Sequence, residues 1–278
     1  MAANADHKIN EQQTALAFSR QSIHFDQLYQ RNTIIQYKRN RVRNHLTRYL
    51  PRNASILELN AGTGDDAIWL AQHGHHVHAT DIASGMQQVL EQKVELTSLK
   101  DKVTTELRSF TDLENLQQKG PYDCIFSNFA GLNCTGELEK VLSSFSPLLK
   151  EGGVVTLVLL PKFCLWELLL LFKGKFKTAT RRFFAKHGRS ARVENEYFKC
   201  WYYNPSFVTG RLKDEFELLS LEGLCTIVPP SYMEGFAEKY PRFYSRLTKL
   251  EHSSKSSWPF KSIGDYYIIS LRKPELAF

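Results

Sequence analysis

The chain has 278 residues, a formal net charge of +7, 42% hydrophobic and 23% charged residues. These values exclude a fibrous or disordered chain and favour one globular domain with a large insertion over two full domains. Lys162 and Glu167 interrupt the most apolar stretch, 154–172, so no membrane span is expected.

Taken in chain order, residues 1–24 read as a mobile N-terminus, polar and without the basic-then-apolar pattern of a signal peptide. A helix is expected at about 26–49. A buried strand at 55–60 runs into Ala61-Gly62-Thr63-Gly64 and then a helix at 64–73. Glycines in such a turn let backbone approach a ligand, and the helix start offers free N–H groups. A second strand at 76–81 ends in Asp81, where a carboxylate can accept both hydroxyls of a ribose. A helix at 84–97, strands at 103–107 and 122–128, a helix at 136–149 and a strand at 153–160 continue the alternation. That alternation predicts an α/β fold with a doubly wound, mostly parallel sheet. A helix at 164–187, an aromatic strand at 192–203, a helix at 205–214 and strands at 216–227 and 263–272 follow.

The glycine turn has two readings. Gly62-Thr63-Gly64-Asp65-Asp66-Ala67 fits the dinucleotide pattern G-x-G-x-x-A. Against it, Glu58 stands at the end of the first strand, and Asp65 and Asp66 would repel a pyrophosphate from the positive helix end. A phosphate-free cofactor carrying a sulfonium and an ammonium would be attracted by these same carboxylates.

Glu58-Leu59-Asn60-Ala61-Gly62-Thr63-Gly64 resembles the first motif, E/D-x-G-x-G-x-G, of the class I S-adenosylmethionine-dependent methyltransferases, of the ubiquinone/menaquinone small-molecule type. Asn60 replaces the first glycine, and asparagine tolerates positive φ better than most residues. The resemblance continues through Asp81-Ile82, Ser109-Phe110 after the third strand, and Asn128-Phe129 after the fourth. It also covers Leu148-Leu149-Lys150-Glu151-Gly152-Gly153 before the fifth. It implies a Rossmann-like seven-stranded sheet, with the last strand antiparallel near the edge and a lid inserted after strand five. It further implies S-adenosylmethionine as cofactor and S-adenosylhomocysteine as product. The implied cofactor residues are Tyr29, Glu58, Asn60, Ala61, Gly62, Gly64, Asp81, Ile82, Met86, Ser109, Phe110, Asn128 and Phe129. The expected organisation is a core at 25–160, including an N-terminal cap helix, a basic and aromatic lid at 161–204, and the remainder of the core at 205–278.

Charge is uneven. Residues 1–52 hold nine Lys/Arg against three Asp/Glu, and residues 162–199 hold ten against three. These segments flank the nucleotide core, so they are expected to cover the cofactor and line the acceptor pocket, with Asn133, Trp166, Arg181 and Tyr197 as acceptor-side candidates. The basic lid suits a solvated face, an acidic small molecule or peripheral contact with an anionic membrane. The five cysteines are widely spaced without a C-x-x-C pair, which argues against zinc or a disulfide scaffold and suits a reducing cytoplasm. The cluster His73, His75, His76 and His78 lacks supplementary ligands at metal-binding spacing, so no metal is expected.

Methyl transfer from a sulfonium is an in-line displacement that needs alignment and exclusion of water. A base is required only where the nucleophile keeps its proton. His24, Tyr29, Glu167, His187, Tyr197 and His252 are conceivable bases, and the sequence selects none. After strand four the chain reads Asn128-Phe129-Ala130-Gly131 in place of the N/D-P-P-Y/F loop of amino-methylating DNA enzymes, and no Pro-Cys occurs. Both facts argue against nucleic acid as partner. The expected function is methyl transfer from S-adenosylmethionine to an O or C nucleophile of an aromatic, polyketide or lipid-like small molecule. A nucleic-acid methyltransferase and a non-catalytic regulator that binds the cofactor are the alternatives. The acceptor and the oligomeric state stay open.

Overall fold

The structure is a computed structural model describing residues 2–275, with side chains from residue 6. Its first element is a long helix, α1 (Ala2–Gln30). Asn32 then caps α2 (Thr33–Leu46), its side chain accepting from the amides of Ile34 and Ile35 at 3.0 and 3.1 Å. Alternation follows through β1 (Ser55–Leu59), α3 (Asp65–Gln72), β2 (His76–Asp81), α4 (Ser84–Leu96) and β3 (Val103–Leu107). It continues through β4 (Tyr122–Ser127), α5 (Leu138–Ser143) and β5 (Leu149–Leu159). The insertion holds α6 (Leu165–Leu169), α7 (Phe176–Ala179) and a hairpin of β6 (Arg189–Val193) and β7 (Glu196–Cys200). Then come α8 (Pro205–Leu212), β8 (Glu217–Leu224), α9 (Phe236–Lys239), α10 (Pro241–Ser254) and β9 (Tyr266–Arg272).

The seven-stranded sheet runs β3-β2-β1-β4-β5-β9-β8. The first five strands are parallel, and β9 inserts antiparallel between β5 and β8. Alternate residues of each strand feed two cores. On one face Leu57, Ile125, Val155 and Ile269 meet Val141 of α5 and Val208 of α8. On the other, Ile56, Phe126 and Ala79 meet Leu46 of α2, Leu70 of α3 and Leu90 of α4. Both faces are covered, which explains why β1 is buried at every position but its first.

Several local expectations change. Residues 1–24, expected to be mobile, are helical from Ala2. The segment hides this because its apolar residues do not form one stripe: Ile9, Leu16, Ile23 and Leu28 are exposed, while Ala17 is buried. The helix expected at 26–49 is divided between α1 and α2 by the Asn32 cap. The helix expected at 136–149 stops at Ser143 and yields to a 3₁₀ turn containing Pro147. The long helix expected at 164–187 is broken into two short pieces at Gly174, whose φ is +69°. The strand expected at 192–203 is instead the β6–β7 hairpin, turning at Glu194 and Asn195 with φ of +47° and +64°. The 14-residue helix α10 falls where no element is expected.

Candidate functional site

The carboxyl ends of β1, β2 and β4 meet in a cavity that holds about 960 Å³ of space, its mouth included. Of the thirteen expected cofactor residues, all but Tyr29 and Gly64 line it. Tyr29 lies beside it, its ring 4.5 Å from that of the lining residue Phe25. Gly64 has a packing duty: a Cβ there would stand 2.0 Å from Leu90 Cδ1. Gly62, with φ of +57°, faces open space, as a residue does whose missing side chain leaves room for a ligand. Asn60 adopts φ of +48° and crosslinks the turn to β4, donating to the Asn128 carbonyl at 2.9 Å and accepting from Ser127 Oγ at 2.6 Å. Phe129 and Ala130 also have positive φ, +48° and +61°, a strained backbone concentrated at the cavity wall.

Asp81 is buried and accepts from the Gly62 amide and the Ala83 amide, both at 2.8 Å. Burial pushes its carboxyl up, and the backbone amides of Ala83, Gly62 and Ile82 hold part of that rise back. Across the cavity, Arg43 Nε binds Asp66 Oδ1 at 2.7 Å, Arg39 reaches Asp65 at 3.3 Å, and Lys93 binds Asp65 at 2.9 Å and Asp26 at 2.6 Å. For Asp65 these cations outweigh burial and hold the carboxyl below its usual range. Glu58 is left over. It is buried at the end of β1, and its Oε2 has no hydrogen-bond partner. Burial raises its carboxyl well above the usual range; Asp66 adds to that, and Arg43 and Arg39 oppose it.

The cavity therefore ends in an acid that lacks a cation. S-adenosylmethionine fits this donor set. Glu58 can receive a positive group, the Gly62 turn leaves room, Asp81 stands at the tip of β2, and Ile82, Met86 and Phe110 offer apolar walls for a base. A diphosphate would meet Glu58, Asp65 and Asp66 in its place.

The N-terminal segment is expected to cover the cofactor, but with residues 1–24 mobile; in the structure α1 lays Glu11, Thr14, Phe18 and Phe25 over the cavity, three of them from within that stretch. Glu11 Oε1 accepts from Ser109 Oγ at 2.8 Å and Thr111 Oγ1 at 2.5 Å, which fixes α1 to the end of β3. Asn10 fixes it to the hairpin and the β4 loop, donating to the Cys134 carbonyl at 2.8 Å and accepting from the Lys199 amide at 2.6 Å. Arg39, Thr63, Gly131 and Cys134 also line the cavity without having been expected there, beside Asp65 and Asp66.

The structure does not bring the four acceptor-side candidates together on this cavity. Asn133 is fully buried and laces backbone: it donates to Trp201 O at 2.7 Å and Leu160 O at 3.2 Å, and accepts from Leu160 N at 3.0 Å. Tyr197 is exposed. Trp166 is half-buried, with an unpartnered indole N–H. Arg181 is held by Glu167 at 2.6 Å and lines a second cavity. Among the conceivable bases, Glu167 is consumed by Arg181 and Arg182, and His24, His187, Tyr197 and His252 are exposed. None of the six lines the first cavity.

Part of the basic N-terminal segment is not surface, although Lys8, Arg20, Arg31, Arg48 and Arg52 are exposed. Lys38, Arg39 and Arg41 are buried on α2 and face Asp265, Asp65 and Glu222 with Glu251. Among the described residues, one grouping could hold a metal, Cys164, Glu167 and Asp265, but the Arg182 guanidinium already bridges its two carboxylates at 2.6 and 2.8 Å. The histidines are separately engaged, His75 accepting from the Ala54 amide and His78 facing Thr104 and Glu106.

Comparison with known proteins agrees with this geometry. Residues 56–153 match the family described as "Methyltransferase domain". An S-adenosyl-L-methionine-dependent Diels-Alderase of Talaromyces variabilis is 32% identical over 110 residues, 39% of this chain and 37% of that protein, so the match spans little more than a third of either. A methyltransferase structure from Listeria monocytogenes superposes with a TM-score of 0.58 at 16% identity, covering 84% of this chain and 96% of that one. The 1,6-didemethyltoxoflavin-N1-methyltransferase of Burkholderia thailandensis, solved with S-adenosylhomocysteine, superposes at 0.56 and 13% identity over 95% and 88%.

Proposed function

We infer that this chain, which carries a methyltransferase domain in the class I methyltransferase fold, binds S-adenosylmethionine in the first cavity and transfers its methyl group to a small molecule. The observation that carries the reading is Glu58: a buried carboxylate oxygen without a partner, in a cavity whose other acids are largely matched by Arg39, Arg43 and Lys93. Leaving such a group unpaired costs about 1–3 kcal/mol or more, which a cationic ligand can return. When bound, the cofactor supplies an electrophilic methyl group. The chain's own residues do the rest. Asp81 accepts ribose hydroxyls, Glu58 receives positive charge, and α1 with Phe18, Phe25 and Phe129 keeps water from the reacting centre. The acceptor is an O or C nucleophile of a small molecule; none of the six conceivable bases lines the cavity, and the titratable groups that do include Glu11, Glu58 and Asp81.

A second reading follows from the fungal relative named as a Diels-Alderase. The chain would then hold the same cofactor without consuming it, and use its charge and the cavity walls to fold a polyene. Product analysis separates the two. Methylation releases one S-adenosylhomocysteine per turnover, and cyclisation releases none. Failure to bind S-adenosylhomocysteine at all, tested by calorimetry, would sink both.

The lid supports a peripheral contact with an anionic membrane as part of this reading. Phe172, Phe176 and Phe184 are 89%, 65% and 78% exposed beside Lys173, Lys175 and Lys186. Among the described residues no helix is long and apolar enough to cross a membrane. Flotation with phosphatidylserine vesicles, but not with neutral ones, is the expected outcome. A cytoplasmic setting suits the five free cysteines.

A further inference from the structure

A second cavity lies between the lid and the hairpin, with about 970 Å³ of space including its open mouth. Its walls carry Lys177, Arg181, Arg189 and Arg192 and no carboxylate. Lid cations ordinarily find acids, and here the acids are elsewhere. Glu196 is bound by Arg20 at 2.5 Å on the α1 side. Glu167 is shared between Arg181 and Arg182. Arg181 gives Nε and Nη2 to Glu167, which leaves its Nη1 for the cavity. Among the described residues, Lys177 and Arg189 have no ion-pair partner. Arg189 lies directly across the hairpin from Cys200, so the two side chains share one face, and Cys200 also lines the cavity.

The first cavity is the electrostatic opposite. It is rich in acids, and the two share a wall. Cys134 lines the first and Cys200 the second, and the two cysteines belong to one small apolar cluster with Ala17 and Phe198. The backbones join at the same place, where Trp201 N donates to Asn133 O at 2.7 Å. A ligand in the second cavity would thus sit one residue layer from the cofactor site.

We propose that the second cavity binds the phosphate or diphosphate group of a small molecule, through Lys177, Arg181 and Arg189 with Arg192 at the rim. Guanidinium forks match phosphate oxygens in pairs, and the unpaired cations Lys177 and Arg189, with the free Nη1 of Arg181, suit the multiple charges of a phosphate or diphosphate better than the single charge of a monocarboxylate. This assigns an anionic group to the substrate class inferred for the adjoining site. It rests on that inference only in linking the anion to methyl transfer.

The test titrates inorganic pyrophosphate into the full chain, with and without saturating S-adenosylhomocysteine. Calorimetry is one readout. The other is the alkylation rate of Cys200, which among the five cysteines alone is not buried. Single-site binding is expected, slowing Cys200 alkylation by about fivefold or more and weakening steeply between about 0.02 and about 0.2 M salt. Orthophosphate should bind more weakly, and acetate not measurably. The Lys177→Gln/Arg189→Gln variant should bind pyrophosphate about tenfold or more weakly and S-adenosylhomocysteine within about twofold of wild type, since neither side chain touches the first cavity. Phenyl phosphate binding more tightly than orthophosphate would assign the anion to an organic acceptor. Equal binding would assign it to free phosphate, and both results support the site. Absent pyrophosphate binding, binding unchanged in the double variant, or competition with S-adenosylhomocysteine would overturn it. Loss of S-adenosylhomocysteine binding alone would overturn the cofactor reading and leave this one standing.

Discussion

Glu58 illustrates how a single residue can be destabilising for the empty fold and useful for the ligand. Its carboxyl titrates above its usual range because burial and Asp66 disfavour the anion. A raised carboxyl binds its proton in the folded state where the unfolded chain has already lost it. Its cost to stability therefore grows as pH rises from about 4.5 to the folded value. Glu58→Gln removes that cost. The ligand-free variant should melt a few degrees higher than wild type at pH 8 by calorimetry, while its melting point responds little to S-adenosylhomocysteine. Wild-type affinity for the cationic cofactor should fall with decreasing pH as Glu58 takes up its proton. A cofactor affinity that is independent of pH between about 5 and 8, or full binding by the Glu58→Gln variant, would remove Glu58 from the cofactor's cationic end.

Among the elements, α1 links the parts that surround the cofactor cavity. It contributes four lining residues, and Asn10 ties it at once to the β4 loop and to β7. Asn10→Ala deletes these bonds and leaves the Lys199 amide and the Cys134 carbonyl without them, at a cost of about 1–3 kcal/mol. S-adenosylhomocysteine affinity should drop about fivefold, because ordering α1 becomes part of the binding free energy. Limited proteolysis should cleave the first thirty residues faster in the variant, and protection by the ligand should persist. Unchanged affinity and proteolysis would mean that α1 is held independently of the hairpin.

For the molecule as a whole, buried ion pairs organised around α2 join it to β8, α10 and the start of β9. Arg41 meets Glu222 and Glu251, Lys38 faces Asp265, and Lys255 from the end of α10 meets Glu222 at 2.9 Å. Glu251 also accepts from the amides of Cys225, Ile227 and Val228. For Glu222, burial raises the carboxyl, yet His45, Arg48 and Lys255 outweigh it and hold the group far below the usual range. A depressed carboxyl contributes stability that is complete above about pH 4.5 and is lost as pH falls toward the folded value. Acid unfolding followed by circular dichroism should begin below about pH 4.5, and Glu222→Gln should lower the melting point at pH 7 while flattening that acid dependence. If the variant keeps the wild-type acid profile, other carboxylates carry the transition.

The sequence by itself determined the order of strands and helices from residue 55 to residue 160, the glycine turn, and eleven of the residues that line the first cavity. These follow from local patterning: short, nearly continuous apolar strands buried on both faces, turn residues at Gly62 and Asn60 that accept positive φ, and carboxylates at strand ends whose places the parallel sheet dictates. Only the tertiary structure decided where the charge goes. Lys38, Arg39, Arg41 and Arg182 read as a basic surface because a run of cations carries no record of which acids it meets; the acids come from positions 65, 66, 167, 222, 251 and 265. The same holds for α1, whose helix is stabilised by contacts with β7 and α4 rather than by a stripe of its own, and for Asn133, whose three backbone bonds span segments far apart in the chain. Local propensity is written in neighbouring residues, whereas charge pairing and docking depend on which distant segments the sheet brings together.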